Sequence, residues 1–401
     1  MTHGSRRSLR VGLLLATAVP LLLLAPPAAR AGAPPPPPPP LTGDFATLIP
    51  NILGDCGARF TGSLSAQLAA LCGASVSTGG SITSQTPAAQ TEAAQTLLRR
   101  LEEQRRNREG GPSASADSSS LRGLGFFANA EYERFDKDVT TFEAGHDSNK
   151  YGGTIGVDYT FGRTGLLGLA VTGSTLDGKF TQSGGTFDID AYGVLLYGSL
   201  LPIPHLFIDG VASYTRKDLV VDRAVVVPAG RGIISSDTDA DEYGVGMLLG
   251  YDFVLQSFTI GPRAGVTYRR TDIDSFSERG STGLELSYAS QREESLTTSL
   301  GLFASWAIST PIGVVIPQTT AEWIHEFEDD QRRITFSFVG DSAGTKFAFF
   351  NDPPDRDSFN VGGGVVMVLP GGFSPFVNYR ALVGYRDQTR HTVTVGLRFA
   401  F

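Results

Sequence analysis

From residue 121 to the end of the chain one pattern recurs: runs in which every second side chain is apolar. The last run, residues 389–401, displays it. His391, Val393, Val395, Leu397, Phe399 and Phe401 fall on one side, and Thr392, Thr394, Gly396, Arg398 and Ala400 on the other. A strand has a side-chain period of two, so one face is apolar and the other polar. The same alternation fills residues 151–161, 243–253, 258–269, 296–306 and 373–381. In these runs the apolar face carries no charge, and charges sit only among the small polar residues opposite. Aromatics such as Tyr151, Phe161, Tyr251, Phe253, Phe258, Tyr268, Trp306 and Trp323 fall near the ends of their runs, with aliphatics between. A soluble sandwich has no reason for that placement. Strands with lipid outside and a wet lumen inside do.

Twelve segments follow the pattern: 124–135, 150–161, 166–175, 186–199, 205–215, 240–253, 258–269, 293–306, 314–327, 358–369, 373–384 and 389–401. In 166–175, 186–199 and 205–215 the alternation is blurred. Connections 162–165, 200–204, 254–257, 307–313 and 370–372 are short, whereas 216–239, 270–292 and 328–357 are long and charged. Short periplasmic turns and long outer loops are the asymmetry of bacterial outer-membrane barrels. The expected fold is therefore all-β: a twelve-stranded antiparallel transmembrane β-barrel whose closure removes edges that lipid could not satisfy. An even strand number returns the chain to the periplasmic rim, placing Phe401 there and pairing the last segment with the first. The polar face then lines the lumen with Glu131, Glu133, Asp158, Asp252, Arg263, Arg269, Glu322, Glu326, Arg380 and Arg398. In a membrane such charges face the interior and seek one another.

The first part of the chain reads differently. Residues 1–31 have the form of a secretory signal peptide: Arg6, Arg7 and Arg10, then an apolar run, then Ala29-Arg30-Ala31 as a small-x-small cleavage site. The apolar run is short of the about 20 residues a spanning helix needs. An unbroken proline run over residues 34–40 makes a stiff spacer. Two short helical patterns follow, capped by Asp44 and Ser63, and Cys56 and Cys72 flank the second. In an oxidising periplasm those cysteines are a disulfide candidate, the alternative being two free thiols in a linker. Thr86-Pro87 then opens a helix that Gly110-Gly111-Pro112 ends, with residues 113–120 as a joint. It spans roughly 35 Å, about one bilayer. Arg99, Arg100, Arg105 and Arg106 crowd its surface, so it cannot lie in lipid. It can thread a polar lumen as a plug, or stand in solvent as a linker held by ion pairs. The domain reading is a signal peptide (1–31), a linker with a small helical segment (32–85), the helix and joint (86–120) and the barrel (121–401).

Composition narrows the functional classes. The 401-residue chain has a formal net charge of −8 and no basic cluster interleaved with aromatics, which speaks against nucleic acid as a partner. Glycine is abundant at 48 residues and methionine rare at 3, which suits close strand packing better than a helical core. The five histidines show no metal-ligand spacing, and no cofactor is expected. Gly340-Asp341-Ser342 has the look of a lipase nucleophile block but stands in a long loop without a nearby base, and is read as a turn. No enzymatic activity is expected.

The C-terminal Val393-Thr394-Val395-Gly396-Leu397-Arg398-Phe399-Ala400-Phe401, the stretch Gln318-Thr319-Thr320-Ala321-Glu322-Trp323-Ile324-His325-Glu326-Phe327 and the helix before the first strand together resemble the translocator domain of autotransporters, the type V secretion proteins. The resemblance covers residues 86–401. It implies an outer-membrane barrel in a Gram-negative bacterium, with the helix threaded through the lumen. It also implies contacts with outer-membrane lipid, periplasmic chaperones and the barrel-assembly machinery, and a monomeric barrel. The outward residues Val393, Val395, Leu397, Phe399 and Phe401 would be the signal that machinery reads. Autotransporters usually carry a passenger of several hundred residues; here residues 32–85 are all that separates signal peptide from helix. The Asn-Asn pair at which some relatives are cut is missing, Asn107 standing alone, so no such cleavage is expected. The functional expectation is a barrel that anchors and displays a short N-terminal segment. The alternatives are a plugged pore and an adhesion protein acting through its long loops.

Overall fold

The computed structural model describes residues 123–400 apart from 141, 163, 182–184, 228–229, 342–343 and 345. The signal peptide, the proline run, Cys56 and Cys72, the arginine-rich helix and Phe401 lie outside the described residues. Twelve strands make up the wall. They are β1 (Leu124–Lys137), β2 (His146–Phe161), β3 (Gly165–Phe180), β4 (Thr186–Ile203), β5 (Leu206–Val227) and β6 (Gly230–Tyr251), then β7 (Phe258–Ile273), β8 (Gln291–Trp306), β9 (Gly313–Glu326), β10 (Asp357–Val368), β11 (Phe373–Val383) and β12 (Gln388–Ala400). Each pairs antiparallel with its sequence neighbours. β12 then pairs with β1 from Ala400↔Gly125 to Gln388↔Lys137, so the sheet closes into a twelve-stranded barrel. Closure satisfies the backbone that lipid cannot. The start of β1 and the end of β12 share the rim that carries the short turns.

The period-two pattern becomes inside and outside. Ile155, Leu169, Val194, Val245, Leu300, Leu302, Val377 and Val395 are exposed on the outer wall, and Thr154, Asp158, Arg263, Thr392 and Thr394 are buried inside. The blurred segments have a physical cause. On β3, β4 and β5 the inward side chains are apolar too: Leu166, Ala170, Leu195, Tyr197, Phe207 and Val211 form one cluster inside the barrel. A second cluster toward the long-loop end contains Leu176, Phe180, Phe187, Ile189, Leu219 and Val221. Strands that are apolar on both faces lose the alternation that a lipid-and-water partition imposes.

Glycine makes room for these inward rings. A Cβ at Gly156 would run into the Phe127 ring, at Gly168 into Tyr197, at Gly178 into Phe187, and at Gly250 into Phe207. Each ring lies over a glycine on a neighbouring strand, where the missing Cβ leaves it room.

The long connections are more ordered than expected. The predicted loop at residues 216–239 is instead a continuation of the β5–β6 hairpin, paired without a break from Leu206↔Tyr251 to Val227↔Gly230. Beyond the membrane its outer face turns from apolar to charged, with Arg216 2.5 Å from Asp239, while Leu219, Val221 and Val225 stay buried inside. The strand period survives there; only the solvent has changed. The connections after β7 and β9 also fold, contributing Phe276–Ser277, Leu286–Tyr288, Arg333–Phe338 and Phe347–Phe350 to a separate four-stranded sheet. Among its described residues, Leu286, Tyr288, Ile334, Phe336, Phe347 and Ala348 are buried apolar side chains.

Candidate functional site

The lumen and its two rims are where this barrel can act. Most of the lumenal charges lie against an opposite charge. At the closing seam, Arg398 of β12 donates to Asp158 of β2 at 2.9 Å, spanning β1. Gly125 permits the crossing: a Cβ there would lie 2.6 Å from both the guanidinium and the carboxylate. The Tyr197 hydroxyl donates to the other Asp158 oxygen at 3.3 Å. Higher on the same wall, Lys150 lies 2.9 Å from Glu131 and 3.8 Å from Glu133, and Arg390 lies 3.9 Å from Glu133. On the other strands Arg263 contacts Asp252 at 2.5 Å and stacks over Phe207 and Phe303. Lys217 contacts Glu242 at 2.9 Å, Arg269 lies 3.9 Å from the same carboxylate, and Arg332 reaches Glu293 at 2.7 Å. Glu326 accepts from the Ser295 hydroxyl at 2.6 Å and the Leu296 amide at 2.9 Å. Arg380 is buried inside β11, and Glu322 stands half-buried on β9. Pairing is what makes charge tolerable in a low-dielectric setting.

Sequence reasoning missed Lys150, Lys217, Glu242, Glu293 and Arg390. Lys217 falls in the stretch read as a loop, and the other four stand near the outer ends of segments. Strand parity was the available signal for Lys150, Glu242 and Arg390, in phase with the lumenal Asp158, Asp252 and Arg398 of the same segments, and for Glu293, in phase with the polar face of its own; the segment before Lys217 has blurred alternation and offers none.

Both rims carry aromatics on the outside. At the long-loop end these are Tyr132, Tyr151, Tyr192, Tyr214, Tyr243, Tyr268, Trp323 and Tyr379. Their polar tips find partners above: Tyr132 donates to Asn149, Tyr214 to Asp241, Tyr268 to Glu294 and the Trp323 indole to Asp357. His325 and His391 share this level, bonded to Asp357 at 2.9 Å and the Tyr379 hydroxyl at 2.8 Å. At the short-turn end the ring residues are Phe126, Tyr159, Phe161, Phe253, Phe258, Trp306 and Phe373. Two aromatic girdles around an aliphatic band mark two water–lipid interfaces. Among the described residues no group of side chains is arranged to hold a metal ion. Gly340 and Asp341 sit in a turn closed by the Asp341 amide on the Phe338 carbonyl, and Ser342 lies outside the described residues.

Comparison with known proteins agrees with this geometry. The family profile described as Autotransporter beta-domain matches residues 126–380. The chain belongs to the autotransporter β-domain family. Over 264 residues this autotransporter is 24% identical to outer membrane protein A of Rickettsia conorii, a match covering 64% of the chain and 13% of that protein. Over 173 residues it is 26% identical to the esterase EstA of Pseudomonas aeruginosa, covering 41% of the chain and 25% of the esterase. The chain thus spans a small fraction of the length of these relatives. Among solved structures, the translocator domain of the autotransporter NalP from Neisseria meningitidis matches 77% of the chain and 98% of its own, at 15% identity and a TM-score of 0.57. The β-domain of the Bordetella autotransporter BrkA matches 70% and 100%, at 20% identity and a TM-score of 0.53. Family and fold place the protein in the outer membrane, with its short turns in the periplasm and its long connections outside.

The outer connections of this autotransporter are tied together by buried ion pairs. Arg223 of the β5–β6 hairpin donates through Nε to Glu278 at 2.9 Å. Close by, His146 is fully buried, with its ring 5.6 Å from Phe135 and 5.4 Å from Phe187. It pairs with Lys137 beyond the Tyr132–Tyr151 girdle, outside the membrane. Burial pushes its pKa down from 6.5 to about 4. The folded state therefore refuses a proton that the unfolded chain accepts below its ordinary pKa. Stability contributed by neutral His146 is complete above about pH 6.5 and falls by roughly 1.4 kcal/mol per unit until about pH 4. Thermal unfolding of the detergent-solubilised barrel at several pH values is expected to show that slope, and His146→Phe should flatten it between pH 5 and 6.5 (about the upper part of the same window). An unaltered slope in the variant would assign the acid sensitivity to other groups.

Proposed function

We propose that the barrel carries the polypeptide preceding β1 across the outer membrane and then anchors it at the cell surface. The observation that supports this most directly is where β1 begins. Leu124 stands at the periplasmic rim, opposite Tyr159 at the β2 end and next to Gly125, which pairs with Ala400. Chain leaving β1 on its N-terminal side starts at the mouth of a lumen with a charged wall, and an extended or helical segment passing through it would meet paired charges and not lipid. The signal peptide at residues 1–31 directs export to the periplasm of a Gram-negative cell, and residues 32–85 are the segment brought outside. The arginine-rich helix, residues 86–109, then occupies the lumen. The outward residues Val393, Val395, Leu397 and Phe399, with Phe401, serve as the signal for the barrel-assembly machinery, after delivery by periplasmic chaperones. One barrel forms one unit. The role proposed is transport and anchoring; the esterase activity in the name of one relative belongs to that protein.

Intact cells carrying an epitope tag within residues 32–85 test the reading. The tag is expected to bind antibody and to be removed by external protease without lysis. A tag protected in intact cells, while the outer connections of the same barrels are cut, would overturn surface display.

A further inference from the structure

At the outer mouth three side chains from distant parts of the chain meet away from water. Lys137 ends β1, Glu143 stands in the connection to β2, and Asp352 stands in the connection from β9 to β10. The Lys137 ammonium nitrogen lies 2.6 Å from Glu143 Oε2 and 2.9 Å from Asp352 Oδ2. The three side chains are 2%, 0% and 17% exposed. The Thr140 hydroxyl donates to the Asp352 carboxylate at 2.8 Å, and the Asp352 amide donates to Glu143 Oε1 at 3.3 Å.

Lys137 stands between two carboxylates, with the Arg332 guanidinium also acting on Glu143, and burial makes a carboxylate in such a cluster a readier acceptor of a proton. Burial raises the Glu143 carboxyl above its usual range, against the opposing pull of Lys137. Burial works against the Lys137 charge, but Glu143 and Asp352 outweigh it and hold the amine above the ordinary lysine value. The cluster thus holds an amine, a carboxyl carbon within reach of it, and a second carboxyl in contact with the amine that binds protons more readily than usual. A nucleophile, an acceptor and a proton carrier held in contact are the parts of a condensation, and holding them together replaces an encounter in solution.

We propose that Lys137 and Asp352 become joined by an intramolecular isopeptide bond, with Glu143 as the catalytic residue that carries the proton. Glu143 takes a proton from the Lys137 ammonium, and the free amine attacks Cγ of Asp352. The Nζ–Cγ bond forms, and one Cγ–O bond breaks. The departing oxygen takes the proton held by Glu143 and a second proton from the nitrogen, and leaves as water past the partly exposed Asp352. One ammonium and one carboxylate become one amide and one water, so atoms and charge balance and no other reactant is consumed. The resting amine is protonated, which makes the step slow, but it is needed once per chain. The product would fasten the connection that supplies two strands of the outer four-stranded sheet to the end of β1. The chemistry is independent of what the barrel carries.

The test is a peptide map of the full-length protein extracted from outer membranes in detergent. A branched peptide joining Lys137 to Asp352, lighter by one water than its two parts, is expected, together with loss of tryptic cleavage after Lys137. In Glu143→Gln and Lys137→Arg barrels that keep their resistance to SDS without heating, the branched peptide should be absent. Separate, unmodified Lys137 and Asp352 peptides from folded wild-type barrel would overturn the bond. A branched peptide at wild-type yield in Glu143→Gln would overturn the role of Glu143. The wild-type map decides the first question even where a variant fails to fold.

Discussion

Asp158→Ala is expected to lower the stability of the folded barrel by about 3–5 kcal/mol, the usual result of removing one member of a buried ion pair. The Asp158 side chain is 0% exposed and its partner Arg398 12% exposed. Without the carboxylate, a guanidinium is left inside the wall, and the Tyr197 hydroxyl loses its acceptor as well. The location magnifies the loss. The pair joins β2 to β12 across β1, at the seam where the sheet closes, and Gly125 is what lets it pass. A weakened seam exposes two strand edges that lipid cannot satisfy. The measurement is urea or thermal unfolding of purified barrel, followed by loss of the fast-migrating SDS-resistant band. Asp158→Ala with Arg398→Met, which removes both charges, should recover much of the stability, since replacing a buried pair by apolar groups is often close to neutral. If Asp158→Ala alone stays within about 1 kcal/mol of the wild type, the pair is not what holds the seam.

Much of this architecture was legible in the sequence because the membrane imposes a rule at every position. Along β12, Val393, Val395 and Leu397 must face lipid, and Thr392 and Thr394 must not, so the alternation is strict and the strand is readable. The rule weakens wherever one of its two solvents is absent. On β4, Ile189, Leu195 and Tyr197 fill the barrel interior where water was expected, so both faces are apolar and the phase is hidden. Along the outer part of β5, Asp218 and Asp222 replace lipid-facing residues, and the charges resemble a loop although the pairing continues. Pairing partners were harder still. Strand parity places Glu242 inside, but its 2.9 Å contact with Lys217 depends on a hairpin register that alternation alone does not specify. The Lys137–Asp352 contact joins residues 215 apart through a connection whose fold no periodic pattern announces.

Leu302→Arg is the substitution expected to be most damaging on the outer wall. Leu302 is 56% exposed and stands between Pro262 of β7 and Ala321 of β9, midway between the Tyr268 and Trp306 levels. Exposure of that size would be harmless on a soluble protein. In hydrocarbon an arginine near the midplane costs about 2–4 kcal/mol, and the barrel offers the side chain no route to a lumenal carboxylate because its Cβ points outward. Folded Leu302→Arg barrel should be strongly depleted from outer membranes, with unfolded chain in the periplasm, whereas Leu302→Phe should assemble at wild-type levels. The neighbouring Phe303 is 2% exposed, so the two adjacent residues face opposite solvents. Normal outer-membrane levels of folded Leu302→Arg would mean that this face does not meet lipid, and the inside–outside assignment of every strand in register with β8 would have to be reversed.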